Sequence, residues 1–508
     1  MDSLLVMGRE RSTHRRARIG TVARSLAALL SATTLLAFAA PASGHSAGTA
    51  RTLSFHSAPG LHPPVLTITG DPDRSAGDIF LTPIYLYPGD DSQVGPMILD
   101  SRGRVVWFRP LDAGSADNLQ VQSYRGRPVL TWWHGYLDEV HGTIFGVGHD
   151  VIMDSSYRRL ATLPVRGGYP VDLHEFQITP RGTALLDEYV PVHVNLSRKG
   201  GPSNAAVLDC VVQEVDIPTG KVLWEWHSVG HVPITASELA APQNVRDYFD
   251  YFHINSIQQL PNGNLVISAR NTWGIYEISR KTGKVIWTLG GKRSSFHMGQ
   301  GTNFEWQHDA RMHPDGTLSL FNDASLPQEE RQGSAKVLKV NTKTMTVRLV
   351  RRVTHNPPLL PGLAGNAQVL PNHNIFVGWG GSPEFSEYTP QGRQIFNGSF
   401  QVGVLSYRAL RAPWTGHPLT RPAMASVLGS SGEITVYASW NGATQVARWR
   451  VLAGPTPHAL SRIGFGKRRR DFETAIHIRT GARYLAVQAL DSHGHVLGTS
   501  RPAKRPSS

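Results

Sequence analysis

The chain has 508 residues, more than the ~250 to 300 that one hydrophobic core normally accommodates, which predicts several domains or a repeat-built one. Hydrophobic residues make up 40% and charged residues 18%, with 50 Gly and 34 Pro. This turn-rich and charge-poor composition favours an all-β protein. The single cysteine, Cys210, excludes an intramolecular disulfide and any C-x-x-C metal or redox motif, and we interpret it as a buried thiol.

The formal net charge of +13 is concentrated at the two ends of the chain. Residues 1–44 carry six Arg against two acidic residues, and residues 401–508 carry 15 Lys and Arg against four acidic residues. The long central part is therefore almost neutral. Because nucleic-acid binding needs a basic surface, this distribution argues against a nucleic-acid partner.

The N-terminus has the pattern of an export signal. Six Arg precede the apolar run 26–40, and small residues follow at 40–44. We predict that residues 1–44 are a signal peptide, and that the mature protein is secreted and has no membrane span. An uncleaved anchor is the alternative, which the shortness of the run disfavours, since a spanning helix needs ~20 apolar residues.

After the N-terminal segment, one sequence pattern is repeated along the chain: a turn residue followed by an apolar run or a run of alternating apolar and polar residues. Each copy is followed by a second strand–turn–strand pattern, so every unit predicts two hairpins, or four strands. Six such units between residues 45 and 400 predict a six-bladed β-propeller, with five or seven blades as alternatives. The turn positions of the six copies are Gly77, Gly126, Gly182, Gly263, Gly316 and His373.

The sequence changes in character after residue 400. Residues 401–425 are rich in Pro, Ala and Arg and predict a linker. Alternating strands over 426–500 predict a small β-sandwich of immunoglobulin or fibronectin type, and residues 501–508 predict a disordered tail.

Equivalent positions of successive propeller blades surround the central channel, so residues at one fixed offset from each turn lie together. Eight residues before the turn are Asn118, His174, Asn255, His308 and Gly365. His253 lies two residues before Asn255, and strand alternation therefore places it on the same face. Seven residues after the turn the chain has returned to that end, and the residues there are Trp133, Tyr189, Arg270 and Asp323.

His174, His253, His308 and Arg270 therefore predict a cationic pocket at one end of the channel. An imidazole can act as nucleophile or as general acid and base, and a guanidinium binds a sulfate, phosphate or carboxylate through two parallel hydrogen bonds. We predict no metal and no cofactor, because Arg270 would repel a cation bound by the histidines. A metal site remains one alternative. A non-catalytic propeller is another, because Thr219–Trp224 and Thr282–Trp287 resemble quinoprotein-type repeats.

Three segments resemble the bacterial arylsulfate sulfotransferases: 172–176 (Asp-Leu-His-Glu-Phe), 252–257 (Phe-His-Ile-Asn-Ser-Ile) and 306–310 (Trp-Gln-His-Asp-Ala). The resemblance covers roughly 75 to 390. It implies a six-bladed propeller enzyme that does not use PAPS. Such an enzyme transfers a sulfuryl group from an aryl sulfate to a phenol through a sulfohistidine, in a ping-pong cycle.

The resemblance also implies roles for individual residues. By position His308 is similar to the nucleophile, whereas His174, His253 and Arg270 are similar to the groups that hold the sulfate oxygens. A second histidine would protonate the departing phenolate. Either Asp309 or Asp323 would orient an imidazole, and the sequence leaves that choice open.

Overall fold

The computed structural model describes residues 52–86, 93–140, 143–163, 170–325 and 327–506. In these ranges the chain forms β-strands and only four single-turn 3-10 helices, which confirms the prediction of an all-β protein. None of these helices is long and apolar enough to cross a membrane. The predicted signal peptide, 1–44, lies outside the described residues. The 3-10 helices are Arg74–Ala76, Ser197–Lys199, Ile234–Ala236 and Arg270–Thr272.

Most strands between residues 66 and 412 belong to six four-stranded antiparallel meanders. The first meander consists of β26 (Val404–Ala412), β2 (Asp78–Tyr85), β3 (Met97–Leu99) and β4 (Val105–Phe108), and the second of β5 (Ser115–Tyr124), β6 (Arg127–Val140), β7 (Thr143–Met153) and β8 (Arg159–Leu163). The third consists of β9 (Val171–Ile178), β10 (Thr183–Val194), β11 (Ala205–Asp216) and β12 (Val222–His227), and the fourth of β13 (Ile254–Gln259), β14 (Leu265–Ala269), β15 (Gly274–Ile278) and β16 (Val285–Gly290). The fifth consists of β18 (His308–Met312), β19 (Thr317–Asn322), β20 (Ser334–Asn341) and β21 (Thr346–Val353), and the sixth of β22 (Asn366–Val369), β23 (Ile375–Gly378), β24 (Glu384–Tyr388) and β25 (Gln394–Phe400).

The meanders follow one another in a ring. Their first strands contact each other in the cyclic order β26, β5, β9, β13, β18, β22 and back to β26. The second and third meanders are also joined into one sheet by the pair Gly148–Val171. Apolar clusters fill the space between neighbouring meanders, so most strands near the ring centre are buried on both faces. The lone cysteine, Cys210, is buried in one of these clusters, as predicted.

Both ends of the ring segment take part in its closure. β26 pairs antiparallel with β2, although 318 residues separate Tyr85 from Val404 in the paired register. The short strand β1 (Leu66–Gly70) pairs with β25, the outer strand of the sixth meander. The structure thus places a nine-residue strand inside 401–425, where a linker was expected. This strand pairs with β2 and thereby completes the first meander.

The repeated turns adopt the backbone conformation that their residues favour. All five turn glycines have positive φ angles, between 73° and 88°. His373 occupies the sixth turn at φ 64°, a conformation that a residue with a Cβ seldom adopts. The repeated sequence pattern therefore corresponds to a repeated position with positive φ.

Residues 423–504 form two further sheets. Apolar residues of both sheets, including Val436, Trp449 and Val487, share one buried cluster between them. Ala503–Lys504 pairs with Tyr484 and Leu485, so part of the segment 501–508, expected to be disordered, is a strand. One sheet contains β27 (Ala423–Leu428), β28 (Ile434–Ser439) and β31 (Glu473–Ile478). The other contains β30 (Ala459–Arg468), β29 (Arg448–Thr456), β32 (Tyr484–Leu490), β33 (Val496–Thr499) and β34 (Ala503–Lys504). In the ring, the two-residue strand β17 (His297–Met298) pairs parallel with β21 of the fifth meander.

Candidate active site

The structure brings the four predicted site residues together at one end of the ring. His174 lies on β9, His308 begins β18, and His253 and Arg270 lie at the ends of the hairpin β13–β14. The ring centroids of His174 and His253 are 4.7 Å apart. Tyr407 of β26 lies between the histidines, with its ring centroid 5.6 Å from that of His174 and 6.2 Å from that of His308.

A buried aspartate contacts Nδ1 of each of the three histidines. Asp323 Oδ2 lies 2.5 Å from His308 Nδ1, and Asp250 Oδ2 lies 2.5 Å from His253 Nδ1. Asp172 makes the same contact with Nδ1 of His174. Since each carboxylate engages Nδ1, the ring nitrogen left for chemistry is Nε2 in all three residues.

The second contact of His308 identifies which of its nitrogens carries the proton. Nδ1 also lies 3.1 Å from the backbone carbonyl oxygen of Trp306. A carbonyl oxygen only accepts hydrogen bonds, so Nδ1 is the donor and Nε2 of the neutral ring has a free lone pair. The structure thus selects Asp323, and not Asp309, as the carboxylate that orients His308. Asp309 instead pairs with Arg311 at 2.7 Å.

Irregular backbone at the start of the inner strands orients these side chains. The β13–β14 ladder shifts register between Ile254 and Ser256, and the β18–β19 ladder shifts between His308 and Arg311. His253 and Asp309, next to these shifts, have φ angles of 59° and 53°. β-Bulges turn side chains away from the regular alternation and occur often near active sites. The left-handed conformation of non-glycine residues costs ~1–3 kcal/mol each, which the surrounding packing offsets.

Asparagines at the shared sequence offset connect neighbouring meanders. Asn118 Nδ2 donates to the carbonyl oxygens of Leu173 and His174, at 2.6 and 2.8 Å. Asn255 Nδ2 donates in the same way to the carbonyl of Gln307, at 2.6 Å. These side chains therefore fix the backbone beside His174 and His308 from the preceding meander.

Arg270 provides positive charge without a carboxylate partner. One terminal nitrogen donates to Asn271 Oδ1 at 3.0 Å and the other to the carbonyl of Gly362 at 3.3 Å. Its guanidinium carbon lies 4.8 Å from the ring centroid of Trp306. No ion pair joins Arg270 to a carboxylate in the described part of the chain. Two of the five N–H donors are thus used by these bonds, and the others are available to an anion.

Burial and the neighbouring positive charges change the proton affinity of the histidines. Burial, with Arg270, His253 and His174 nearby, holds the pKa of His308 well below its usual value. Burial also lowers the pKa of His253, although Asp250 opposes this effect. A neutral His308 is therefore the stable form at neutral pH, as a nucleophilic imidazole requires.

Below the histidines, two arginines and two carboxylates fill the middle of the ring. Arg311 and Arg408 both pair with Glu175 and with Asp309. A cavity of about 200 Å³ borders both arginines and His313 but touches none of the three site histidines. We therefore locate the chemistry in the pocket of His174, His253, His308 and Arg270 rather than in this cavity.

Sequence reasoning missed three residues of the pocket. Asp172 and Asp250 precede their histidines by two and three residues, so a search for a carboxylate close in sequence to each histidine would have found them. Tyr407 lies in the stretch expected to be a linker, and its place became visible only from the pairing of β26 with β2.

A model of the arylsulfotransferase (ASST) family matches residues 120–401, more than half of the chain and the part that carries all four predicted residues. The fold is all-β, and three histidines and an arginine lie together at one end of the ring. The chain belongs to the arylsulfotransferase family, which confirms the resemblance found in its sequence. No curated protein matches it.

Several solved structures are similar at low sequence identity. A protein of unknown function from Bacteroides caccae is 13% identical and has a TM-score of 0.39, with 66% of this chain and 98% of that chain covered. Virginiamycin B lyase from Staphylococcus aureus is 9% identical with a TM-score of 0.30, covering 75% and 92%. A GH43 protein from Bacillus licheniformis is 9% identical with a TM-score of 0.31, covering 76% and 89%. At these TM-scores none of the three assigns a fold or a function to this chain.

Proposed function

We propose that the protein is a secreted arylsulfate sulfotransferase that transfers a sulfuryl group from an aryl sulfate to a phenol without PAPS. The ring of meanders is then a six-bladed propeller, and the C-terminal sheets form an immunoglobulin-like sandwich. Residues 1–44 serve as the export signal. The proposal rests mainly on the following observation. Three histidines, each held at Nδ1 by an aspartate, surround a guanidinium that has no carboxylate ion pair among the described residues.

Binding of the donor depends on positive charge among buried side chains. Arg270 is partly exposed and has unused N–H donors, so it is suited to hold two oxygens of a sulfate ester. Nε2 of His174 and of His253 supply further donors when protonated. Sulfuryl transfer has a loose, in-line transition state like that of phosphoryl transfer, in which negative charge lies on the peripheral oxygens. Fixed donors aimed at those oxygens therefore lower the barrier.

In the first half-reaction the lone pair of His308 Nε2 forms a bond to sulfur. The bond between sulfur and the aryl oxygen breaks, and its electron pair leaves with the phenolate. His174, as the imidazolium, gives the phenolate a proton from Nε2. The sulfohistidine then carries the positive charge of an imidazolium at Nδ1, where Asp323 balances it.

In the second half-reaction a phenol replaces the first product. The same neutral imidazole that protonated the leaving group now takes the proton of the phenol. The phenol oxygen attacks sulfur, the N–S bond breaks, and its electron pair returns to His308 Nε2. The enzyme is thereby restored and the net reaction is an exchange of phenols.

Release of 4-nitrophenol from 4-nitrophenyl sulfate, with and without a phenol acceptor, tests the proposal. We expect turnover by the wild type and none by His308→Ala. His313→Ala is the matched control, because His313 lies in the same segment but donates to or accepts from Ser319 outside the pocket. Absence of product from the wild type with several aryl sulfates, or equal rates for both variants, would reject the function.

A further inference from the structure

Four buried aspartates lie between the second and third meanders. Asp117, Asp150, Asp172 and Asp187 are each at most 1% exposed. Asp117 and Asp150 both pair in register with Trp133, so their side chains share one face of the second meander. That face packs against the third meander, where Asp172 and Asp187 are found. Only Asp172 has a role in the pocket, as the partner of His174.

The other three aspartates have no cationic partner. No ion pair joins Asp117, Asp150 or Asp187 to a Lys, Arg or His in the described ranges. Asp117 Oδ2, Asp187 Oδ2 and both carboxylate oxygens of Asp150 are buried and have no hydrogen-bond partner in the part of the chain that the structure describes. A buried carboxylate without partners costs several kcal/mol, so such groups are normally paired or bind a metal ion. The nearby Glu175, by contrast, is paired with two arginines.

The spacing of the donor atoms suits one metal ion. A carboxylate oxygen of Asp172, one of Asp187 and a ring nitrogen of His174 all lie within 4.8 Å of one another. Two oxygens bound to Ca²⁺ at ~2.3–2.6 Å are separated by at most about 5 Å. The hydroxyl of Tyr407 is buried and has no hydrogen-bond partner among the described residues, and Asp187 and Asp172 are among the charges that act on it. The surroundings are therefore rich in oxygen donors.

We propose that Asp172 and Asp187 bind one divalent cation of the calcium type, with Asp117, Asp150 and Tyr407 in the same buried region. Carboxylate oxygens are the ligands that such hard cations prefer, whereas three imidazoles would select zinc or iron. The ion would lie where the second meander packs against the third, and it would hold Asp172 against His174. It is a structural ion, separate from the histidine-bound metal that Arg270 disfavours. Sequence analysis did not predict this site, because the four aspartates lie on four strands without a fixed spacing.

Elemental analysis and thermal melting of the full-length secreted protein test this site without any measurement of sulfuryl transfer. We expect about one calcium per chain after purification without chelator. Removal of the ion with EGTA should lower Tm by at least about 3 °C, and CaCl₂ should restore it. Asp187→Asn should weaken calcium binding at least about tenfold. Asp491→Asn is the control, since it alters the exposed cluster of Asp491, His493 and His495 and should leave the calcium content unchanged.

Several results would contradict the proposed calcium site. The wild type could retain no ion and show no change of Tm with calcium, which would mean that the aspartates are protonated in the folded protein. Retention of zinc in place of calcium would reject the assignment of oxygen ligands. Loss of calcium from Asp491→Asn but not from Asp187→Asn would place the ion elsewhere. If Asp187→Asn does not fold, the metal content and calcium titration of the wild type decide the question.

Discussion

Nδ1 of His308 lies 2.5 Å from a carboxylate oxygen and 3.1 Å from a backbone carbonyl oxygen, so its proton is held on that side of the ring. The free lone pair is consequently on Nε2. In the proposed mechanism Asp323 therefore positions the nucleophile and balances the charge that develops on it. Asp250 and Asp172 make the corresponding Nδ1 contacts with His253 and His174.

Replacement of Asp323 by Asn should preserve shape but favour the wrong tautomer of His308. We expect kcat to fall by about 10³- to 10⁴-fold, with KM for the aryl sulfate changed by less than about threefold. Steady-state kinetics would measure both constants, and thermal melting would show that the variant is folded. Asp315→Asn, an exposed position on the same meander, is the control. A rise in KM with unchanged kcat would assign Asp323 to substrate binding instead.

The pH dependence of kcat/KM follows from the lowered pKa of His308. Only the neutral imidazole attacks sulfur, so activity is lost when the pH falls below that pKa. Because the pKa is lowered, the acid limb should lie below the usual histidine value of about 6.5. A profile between pH 4 and 9 measures it. An acid limb at or above pH 6.5 would contradict the electrostatic description of the pocket.

At the scale of the strands, much of the pocket could be predicted because the repeated turn lies at the same distance in sequence from the pocket residues of several meanders. Counting from the turn glycines located His174, His308 and Arg270, and the structure places them together. Residues outside the repeat gave no such signal. Tyr407 enters the pocket on β26, whose pairing with β2 joins distant parts of the chain. Pairing of this kind is decided by the whole core and not by local sequence.

An ion pair between Glu387 of β24 and Arg411 of β26 links the sixth meander to β26, the strand that closes the ring. Both side chains are fully buried, and Arg411 also donates to the carbonyl of Gly77 at 2.8 Å. Glu387→Ala leaves a buried guanidinium uncompensated, which should lower the free energy of unfolding by about 3–5 kcal/mol. Urea denaturation measures this change. Asp71→Ala, which breaks the exposed pair with Arg74, should cost at most about 1 kcal/mol, and an equal cost for both variants would contradict the role of β26.

At the scale of the whole chain, the C-terminal sheets are attached to the ring through its first meander. Asn441 accepts from the backbone N–H of Phe108 at 3.0 Å and donates to the carbonyl of Phe108 at 2.8 Å. Gly442 N donates to the carbonyl of Val106 at 2.9 Å. The loop thus covers the open edge of β4, an edge that would otherwise expose unpaired backbone groups. The sequence predicted separate strands in both regions, but composition alone could not show this contact.

Asn441→Ala should weaken the attachment, because the backbone groups of Phe108 lose both side-chain partners. We expect a loss of about 1–3 kcal/mol in the free energy of unfolding and faster cleavage near residues 412–423 in limited proteolysis. Thr435→Ala, on β28 away from this contact, is the control. Equal stability and equal cleavage rates for the two variants would show that the contact does not hold the two parts together.

Intact-mass spectrometry after brief exposure to an aryl sulfate, quenched at alkaline pH, tests the proposed covalent mechanism most directly. The account predicts one added sulfuryl group on the wild type, mapped to His308 by fragmentation and absent from His308→Ala. The adduct should disappear when a phenol acceptor is added before the quench. No adduct on the wild type, or an adduct that persists in His308→Ala, would contradict transfer through His308.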